Sequence, residues 1–221
     1  MSRAPALALA CLALCSLSLH TGPLRAPARP PRPVARVAPA PPAGSAAVRA
    51  ALERHATGLT PRELDALART VASEALRHDL PVDLVVAVMH VESRFDNFAV
   101  SPVGAMGLMQ ILPDTGEELA AELDIAWLGP QTLFDPLANV KLGTAYLKWL
   151  ERRYGRLEVA LAAYNWGPGR IDSSLRSGRP VPAGYARDVL AVYGRLRRSS
   201  GSDSAAAKPS SAAIAASSPP V

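Results

Sequence analysis

From Thr60 to Leu196 the apolar residues of this 221-residue chain return every three to four positions, and no stretch alternates with period two for long enough to argue for a strand. That pattern confines the compact part to packed helices. Thr60-Pro61-Arg62-Glu63 reads as a helix start, with Thr60 as N-cap, Pro61 at the first helical position and Glu63 reaching back to the cap. Leu64, Leu67, Ala68, Val71, Ala72, Ala75 and Leu76 then form an apolar stripe that ends near Asp79. Pro81 opens a second helix, and Asn97 to Gly107, rich in Pro and Gly, is a loop. A short apolar segment, Gly107 to Leu112, precedes a helix that starts at Pro113 and runs to about Leu123. Asp135 caps another, whose apolar face includes Leu137, Val140, Ala145, Leu147 and Leu150. The helix that begins with Leu157 to Tyr164 must break at Gly167-Pro168-Gly169, and a last helix covers Tyr185 to Leu196. The fold class expected is all-α.

Glu92 stands out against this pattern. Leu84, Val85, Val88 and Glu92 share one face of the second helix, so the acid is aimed where the core should be. Burial disfavours the ionised form and raises the pKa, and a carboxyl still protonated near neutral pH is what a general acid requires. The competing reading is a helix that surfaces near its end and leaves Glu92 in water, the commoner situation for an isolated Glu. Asp96 would share the face only if the helix continued past Phe95, whereas Phe95-Asp96-Asn97-Phe98 reads as a helix end with Asp96 solvated. Asp114 and Asp135 sit at helix starts, where capping accounts for them.

Three segments occur in order along the chain: Glu92-Ser93, Gly107-Leu108-Met109-Gln110 and Ala163-Tyr164-Asn165. Together they resemble the catalytic domain of the soluble lytic transglycosylases, relatives of goose-type lysozymes, over about residues 60–195. The resemblance implies a lysozyme-like helical domain with a substrate cleft beside the helix that bears Glu92. It also implies cleavage of the β-1,4 bond between N-acetylmuramic acid and N-acetylglucosamine in peptidoglycan. In that chemistry Glu92 first protonates the glycosidic oxygen. It then removes the proton of the muramoyl C6 hydroxyl, which attacks the anomeric carbon and closes a 1,6-anhydro ring.

Further positions carry over individually from the resemblance. Ser101 and Gln110 become polar cleft residues that contact sugar and N-acetyl groups, and Met109 an apolar neighbour of the sugar. Tyr164 becomes the aromatic whose hydroxyl lies beside the acid, followed by Asn165, and Tyr185 a late tyrosine that closes the cleft. Pro182-Ala183-Gly184-Tyr185 follows the family pattern loosely, and Trp166 stands where a small residue is usual. The Ser93 hydroxyl either orients Glu92 or bonds back to the carbonyl of residue 89. No cofactor is implied. Two other readings share the scaffold: a hydrolytic muramidase, and a non-catalytic wall-binding or secretion-assembly protein.

The flanks set the location and exclude other partners. A basic residue followed by the apolar run Ala6 to Leu19 is a secretory signal pattern over residues 1–22, with an uncleaved N-terminal anchor as the alternative. Cys11 and Cys15 both fall inside this run, which leaves the mature domain no disulfide to form. Residues 23–45 form a linker whose stretch 23–42 holds eight prolines and the basic Arg25, Arg29, Arg32 and Arg36. The transglycosylase-like domain then occupies 46–198, with its core at 60–195, and a Ser/Ala/Pro tail at 199–221 is expected to be disordered. The net charge of +5 comes largely from arginines in these flanks and at Arg195, Arg197 and Arg198, not from the basic and aromatic surface of a nucleic-acid binder. His20, His55, His78 and His90 lack metal-ligand spacing, so no metal is expected. The expected partner is the glycan strand of peptidoglycan in the periplasm or cell envelope, and the expected membrane contact is an uncleaved anchor.

Overall fold

A computed structural model describes residues 40–206 of the chain, with side chains through Ser199. The expectations for residues 1–39 and 207–221 lie outside the described residues. Among the described residues eight α-helices follow one another: α1 (Ser45–Leu52), α2 (Pro61–Arg77), α3 (Val82–Ser93), α4 (Pro113–Glu122), α5 (Pro136–Tyr154), α6 (Leu157–Trp166), α7 (Pro168–Arg176) and α8 (Gly184–Ala206). A 3-10 turn, Pro130–Phe134, precedes α5. Among the described residues the only extended pairing is a pair of isolated bridges that join Met106 to Val100 and to Ile111. The fold is all-α.

Local chemistry explains the helix ends. The Thr60 hydroxyl accepts from the Glu63 amide at 3.4 Å, and the Glu63 carboxylate accepts from the Thr60 amide at 2.8 Å, which closes the capping box of α2. The Asp135 carboxylate accepts from the amides of Leu137 and Ala138 at 2.8 and 3.0 Å and starts α5. Asp114 makes no such bond; it is an exposed acid in the first turn of α4, where the helix dipole favours it. At the end of α3, Arg94 and Phe95 both turn left-handed, with φ of 54° and 68°, and the helix cannot continue to Asp96.

The core is organised around α3, whose residues Leu84 to Met89 are all buried, so this helix is enclosed on every side along its middle. It packs against α2 and α8, while α5 joins α2 to α6. Leu76, assigned to the buried stripe of α2, is instead 78% exposed, while Ala75 of that stripe and the charged Glu74 are both buried. Glu74 is held 3.7 Å from the His78 ring nitrogen and 3.6 Å from Arg77.

Three elements depart from the sequence reading. The packed unit begins before residue 60, because α1 buries Val48, Ala51 and Leu52 against α2. Arg49 ties the two helices with a 2.9 Å bond to Asp65. Gly169 lies within α7 instead of ending a helix, since α6 stops at Trp166 and a new helix starts at Pro168. The backbone of α8 runs to Ala206, past Leu196 where the apolar pattern ends.

The burial of α1 yields a direct test. Leu52→Ala should cost about 2–5 kcal/mol and lower the thermal midpoint by roughly 5–20 °C. A chain that starts at residue 60 should be less stable still. Calorimetry of the full chain, the variant and the truncated chain measures this, and unchanged midpoints would show that α1 is not part of the core.

Candidate functional site

Glu92 is partly buried in the last turn of α3. Its Oε1 accepts a 2.5 Å hydrogen bond from the hydroxyl of Tyr185, which the first turn of α8 supplies. Burial pushes the Glu92 carboxyl up to about 7, and the bond from Tyr185 opposes that rise only in part. Among the described residues no other acid or base contributes to the shift. Tyr185 stacks on Tyr164, with centroids 6.4 Å apart and planes within 4°. Both phenols are held well above their usual pKa, first by burial and then by the negative charge of Glu92. Near neutral pH the site is therefore a half-protonated carboxyl among neutral phenols.

The segment Met106–Ile111 turns back on itself beside this acid, with paired bonds between the backbones of Met106 and Ile111 at 2.9 and 3.1 Å. It belongs to no sheet, so side chains hold it. The Asn139 amide, fully buried in α5, accepts from the Met109 amide at 2.8 Å and donates to the carbonyls of Met106 and Leu133 at 2.9 Å each. Gly107 is required here twice over: its φ is 77°, and a Cβ would collide with the Leu133 carbonyl and the Asn139 amide. Gly143 is required by contact, because a Cβ there would come within 2.5 Å of the Met109 sulfur. From the other side the Ser93 hydroxyl meets the Leu108 carbonyl at 2.9 Å and the Met89 carbonyl at 3.2 Å. Ser93 thus ties the end of α3 to the turn and makes no bond to Glu92.

The structure sorts the expected site residues into two groups. Glu92, Tyr185 and Tyr164 come together. The hydroxyl on Glu92 is that of Tyr185, however, since the Tyr164 hydroxyl donates to the Met109 carbonyl at 2.9 Å. Gln110 and Ser101 line the adjoining loop with their polar atoms partly engaged. The Gln110 side-chain nitrogen donates to the carbonyls of Ala99 and Gly107, and the Ser101 hydroxyl accepts from the Ala105 amide at 3.0 Å. Met109 is 0% exposed, with its side chain packed under the turn against Gly143 of α5. Asn165 is exposed at the end of α6. Asp96 is exposed, with its carboxylate bound to the Phe98 amide at 2.9 Å. Asn139 escaped the sequence reading; the signal for it was an amide flanked by Ala138 and Val140 on an apolar helix face.

The family of the Transglycosylase SLT domain matches residues 69–180, half of the chain and all of the site except Tyr185. This chain belongs to that family. It is 37% identical over 129 residues to the soluble lytic murein transglycosylase of Escherichia coli strain K12, which covers 51% of this chain and 20% of that protein. It is 31% identical over 140 residues to the membrane-bound lytic murein transglycosylase C of Serratia proteamaculans, which covers 57% of this chain and 39% of that protein. The chain thus spans well under half the length of either relative. Among solved structures, the 70 kDa soluble lytic transglycosylase of Escherichia coli superposes with a TM-score of 0.55 at 29% identity over 64% of this chain and 27% of that one. An inactive mutant of the lytic transglycosylase Slt of Pseudomonas aeruginosa gives a TM-score of 0.54, also at 29% identity, over 60% of this chain and 24% of that one.

The raised pKa makes the SLT domain's stability depend on pH in a definite direction. Between the ordinary value of 4.5 and about 7, the unfolded chain ionises Glu92 while the folded chain keeps the proton. Stability therefore falls as pH rises through that window, by roughly 3 kcal/mol in all. Glu92→Gln removes the ionisation without changing the shape. The variant should melt above the wild type at pH 8.5, with the gap closing toward pH 4.5. Equal melting points at both pH values would mean that Glu92 titrates as a solvated acid.

Proposed function

We propose that this chain is an exported peptidoglycan lytic transglycosylase in which Glu92 is the one carboxyl that does both halves of the chemistry. The observation that carries the reading is an acid poised near pH 7 with no second carboxylate close enough to affect its titration. A direct hydrolysis needs a separate base to activate water on the far face of the sugar, and most glycosidases provide it as a second carboxyl group. Here Asp96 is tied to the Phe98 amide and Asp114 stands exposed in α4. A mechanism that uses one group twice fits this arrangement.

In the proposed sequence protonated Glu92 gives its proton to the oxygen between N-acetylmuramic acid and N-acetylglucosamine as that bond breaks. The carboxylate left behind takes the proton of the muramoyl C6 hydroxyl, whose oxygen bonds to the anomeric carbon. Glu92 ends protonated, no water is consumed, and the product carries a 1,6-anhydro ring. Tyr185 contributes a hydroxyl that can follow Glu92 through both states, since it donates more strongly to the carboxylate than to the acid. Gln110 and Ser101 offer polar groups to the N-acetyl substituents at the cleft wall. Action in the periplasm or cell envelope follows from the substrate, and the apolar run at Ala6–Leu19 supports export.

The products test the reading. Digestion of purified sacculi should release fragments that end in anhydro-muramic acid, lighter by one water than hydrolysed fragments and unchanged in mass by borohydride. Glu92→Gln should cut the rate by about 100-fold or more while strand binding persists. Reducible muramic acid ends would instead establish a muramidase, and full activity in folded Glu92→Gln would remove Glu92 from the chemistry.

A further inference from the structure

We propose that the recess between α1, α3 and α8 is a binding site for a phosphate group. Two adjoining hollows of about 160 and 380 Å³ make it, and they share His90, Val192 and Arg195. Arg54 and His55 line it from the turn after α1, His90 and Arg94 from the end of α3, and Asp188 and Arg195 from α8. Glu92, Tyr164 and Tyr185 line neither hollow. His90 stands two residues before Glu92, about 200° round the helix from it, so the recess and the acid use different sides of α3.

The charges gathered here do not balance. Three guanidinium groups face one carboxylate, that of Asp188, which leaves two positive charges even with both imidazoles neutral. That excess matches a phosphate dianion. Among the described residues none of Arg54, Arg94 and Arg195 forms an ion pair. Arg54 gives one N–H to the Ala50 carbonyl at 2.9 Å and keeps the rest of its fork. The crowding acts on His90, whose pKa is lowered first by burial and then by His55, Arg94 and Arg195, with no negative charge among the causes. A phosphate group would reverse the sign of that field and meet guanidinium donors with strong acceptor oxygens.

The two imidazoles are held in place by aromatic packing. The His55 and His90 rings meet edge to face with centroids 5.6 Å apart, and both pack on Phe95, at 4.8 and 5.5 Å. Phe95 is only 2% exposed, so the rings rest on a fixed floor. Each imidazole adds an N–H donor, and a second one when protonated. The smaller hollow alone has room for several waters at about 30 Å³ each, and hence for a phosphate group. Three segments far apart in sequence thus bring cations to one concave place, with Asp188 as the acid among them.

Calorimetric titration of the full chain with inorganic phosphate, at an ionic strength fixed with sodium chloride, should show saturable binding. Arg54→Ala together with Arg195→Ala should weaken it about tenfold or more. Both side chains are exposed, so the melting midpoint without phosphate should stay where it is. Removal of the same charge elsewhere, by Arg62→Ala with Arg69→Ala on α2, should leave binding unchanged. In NMR titrations of the wild type, phosphate should move the midpoints of His55 and His90 to higher pH, because a nearby anion favours the imidazolium. His78, which sits beside Glu74, should not move. Vesicles of phosphatidic acid in phosphatidylcholine identify the source of the phosphate. Binding tighter than to the free ion and lost in the Arg54/Arg195 double variant assigns a lipid headgroup, and equal or weaker binding assigns a soluble phosphate. If that double variant melts lower, the histidine midpoints of the wild type decide. Absence of saturable binding to both probes, equal weakening in the two double variants, undiminished binding in the first, or equal movement of all three histidines would overturn the proposal.

Discussion

One buried amide fixes the geometry on which the site depends. The Met106–Ile111 turn pairs with itself and with the backbone at Ala99 and Val100, and what presses it against α5 is the Asn139 side chain, through bonds to Met106, Met109 and Leu133. Any one of those groups left buried without a partner would cost about 1–3 kcal/mol. The glycines at 107 and 143 allow the approach that makes these bonds possible. Once the turn is seated, its carbonyls become fixed acceptors: Leu108 for the Ser93 hydroxyl and Met109 for the Tyr164 hydroxyl. The end of α3 and the end of α6 are thereby brought to the same place.

Glu92 is the residue this assembly serves, and its setting has a cost. A carboxyl pushed up to about 7 by burial works against the folded state whenever it is ionised. A lysine or arginine beside it would relieve that cost, and would also strip the acid of its proton at working pH. The protein instead offers a single phenol, from Tyr185, whose own proton burial keeps firmly in place. That choice leaves the carboxyl able to give up a proton and take one back. The stack of Tyr185 on Tyr164 couples α8 to the seated turn, so α8 closes the site that α3, α5 and α6 build.

Much of this was legible in the residues because the helices announce themselves by caps and period. The Thr60 capping box, the Asp135 cap and the apolar stripe of α3 each act locally, and each forms as the local pattern predicts. The helix α1 was not legible: it follows a proline-rich stretch, its Gly44 N-cap is left-handed, and no side chain caps it. The seventh was hidden because Gly167-Pro168 reads as a break, yet Pro168 starts a new helix as readily as it ends the old one. Within the site, the pairing of Tyr185 with Glu92 spans 93 residues, and no local pattern could reveal which tyrosine takes that place. Met109 shows a second long-range effect: tight packing on Gly143, 34 residues on, seats its side chain under the turn, which the motif alone does not reveal.

The chemistry turns on where Glu92 keeps its proton, and that can be read directly. Carbon-13 labelling of the glutamate side chains, followed by a pH titration of their carboxyl resonances with Glu92→Gln to assign the signal, gives the midpoint for this one group. The expected Glu92 midpoint is about 7, well apart from the ordinary glutamate value of 4.5. A Glu92 signal that titrates with the solvated carboxylates near 4.5 would contradict it, because an acid ionised at neutral pH has no proton to give the glycosidic oxygen.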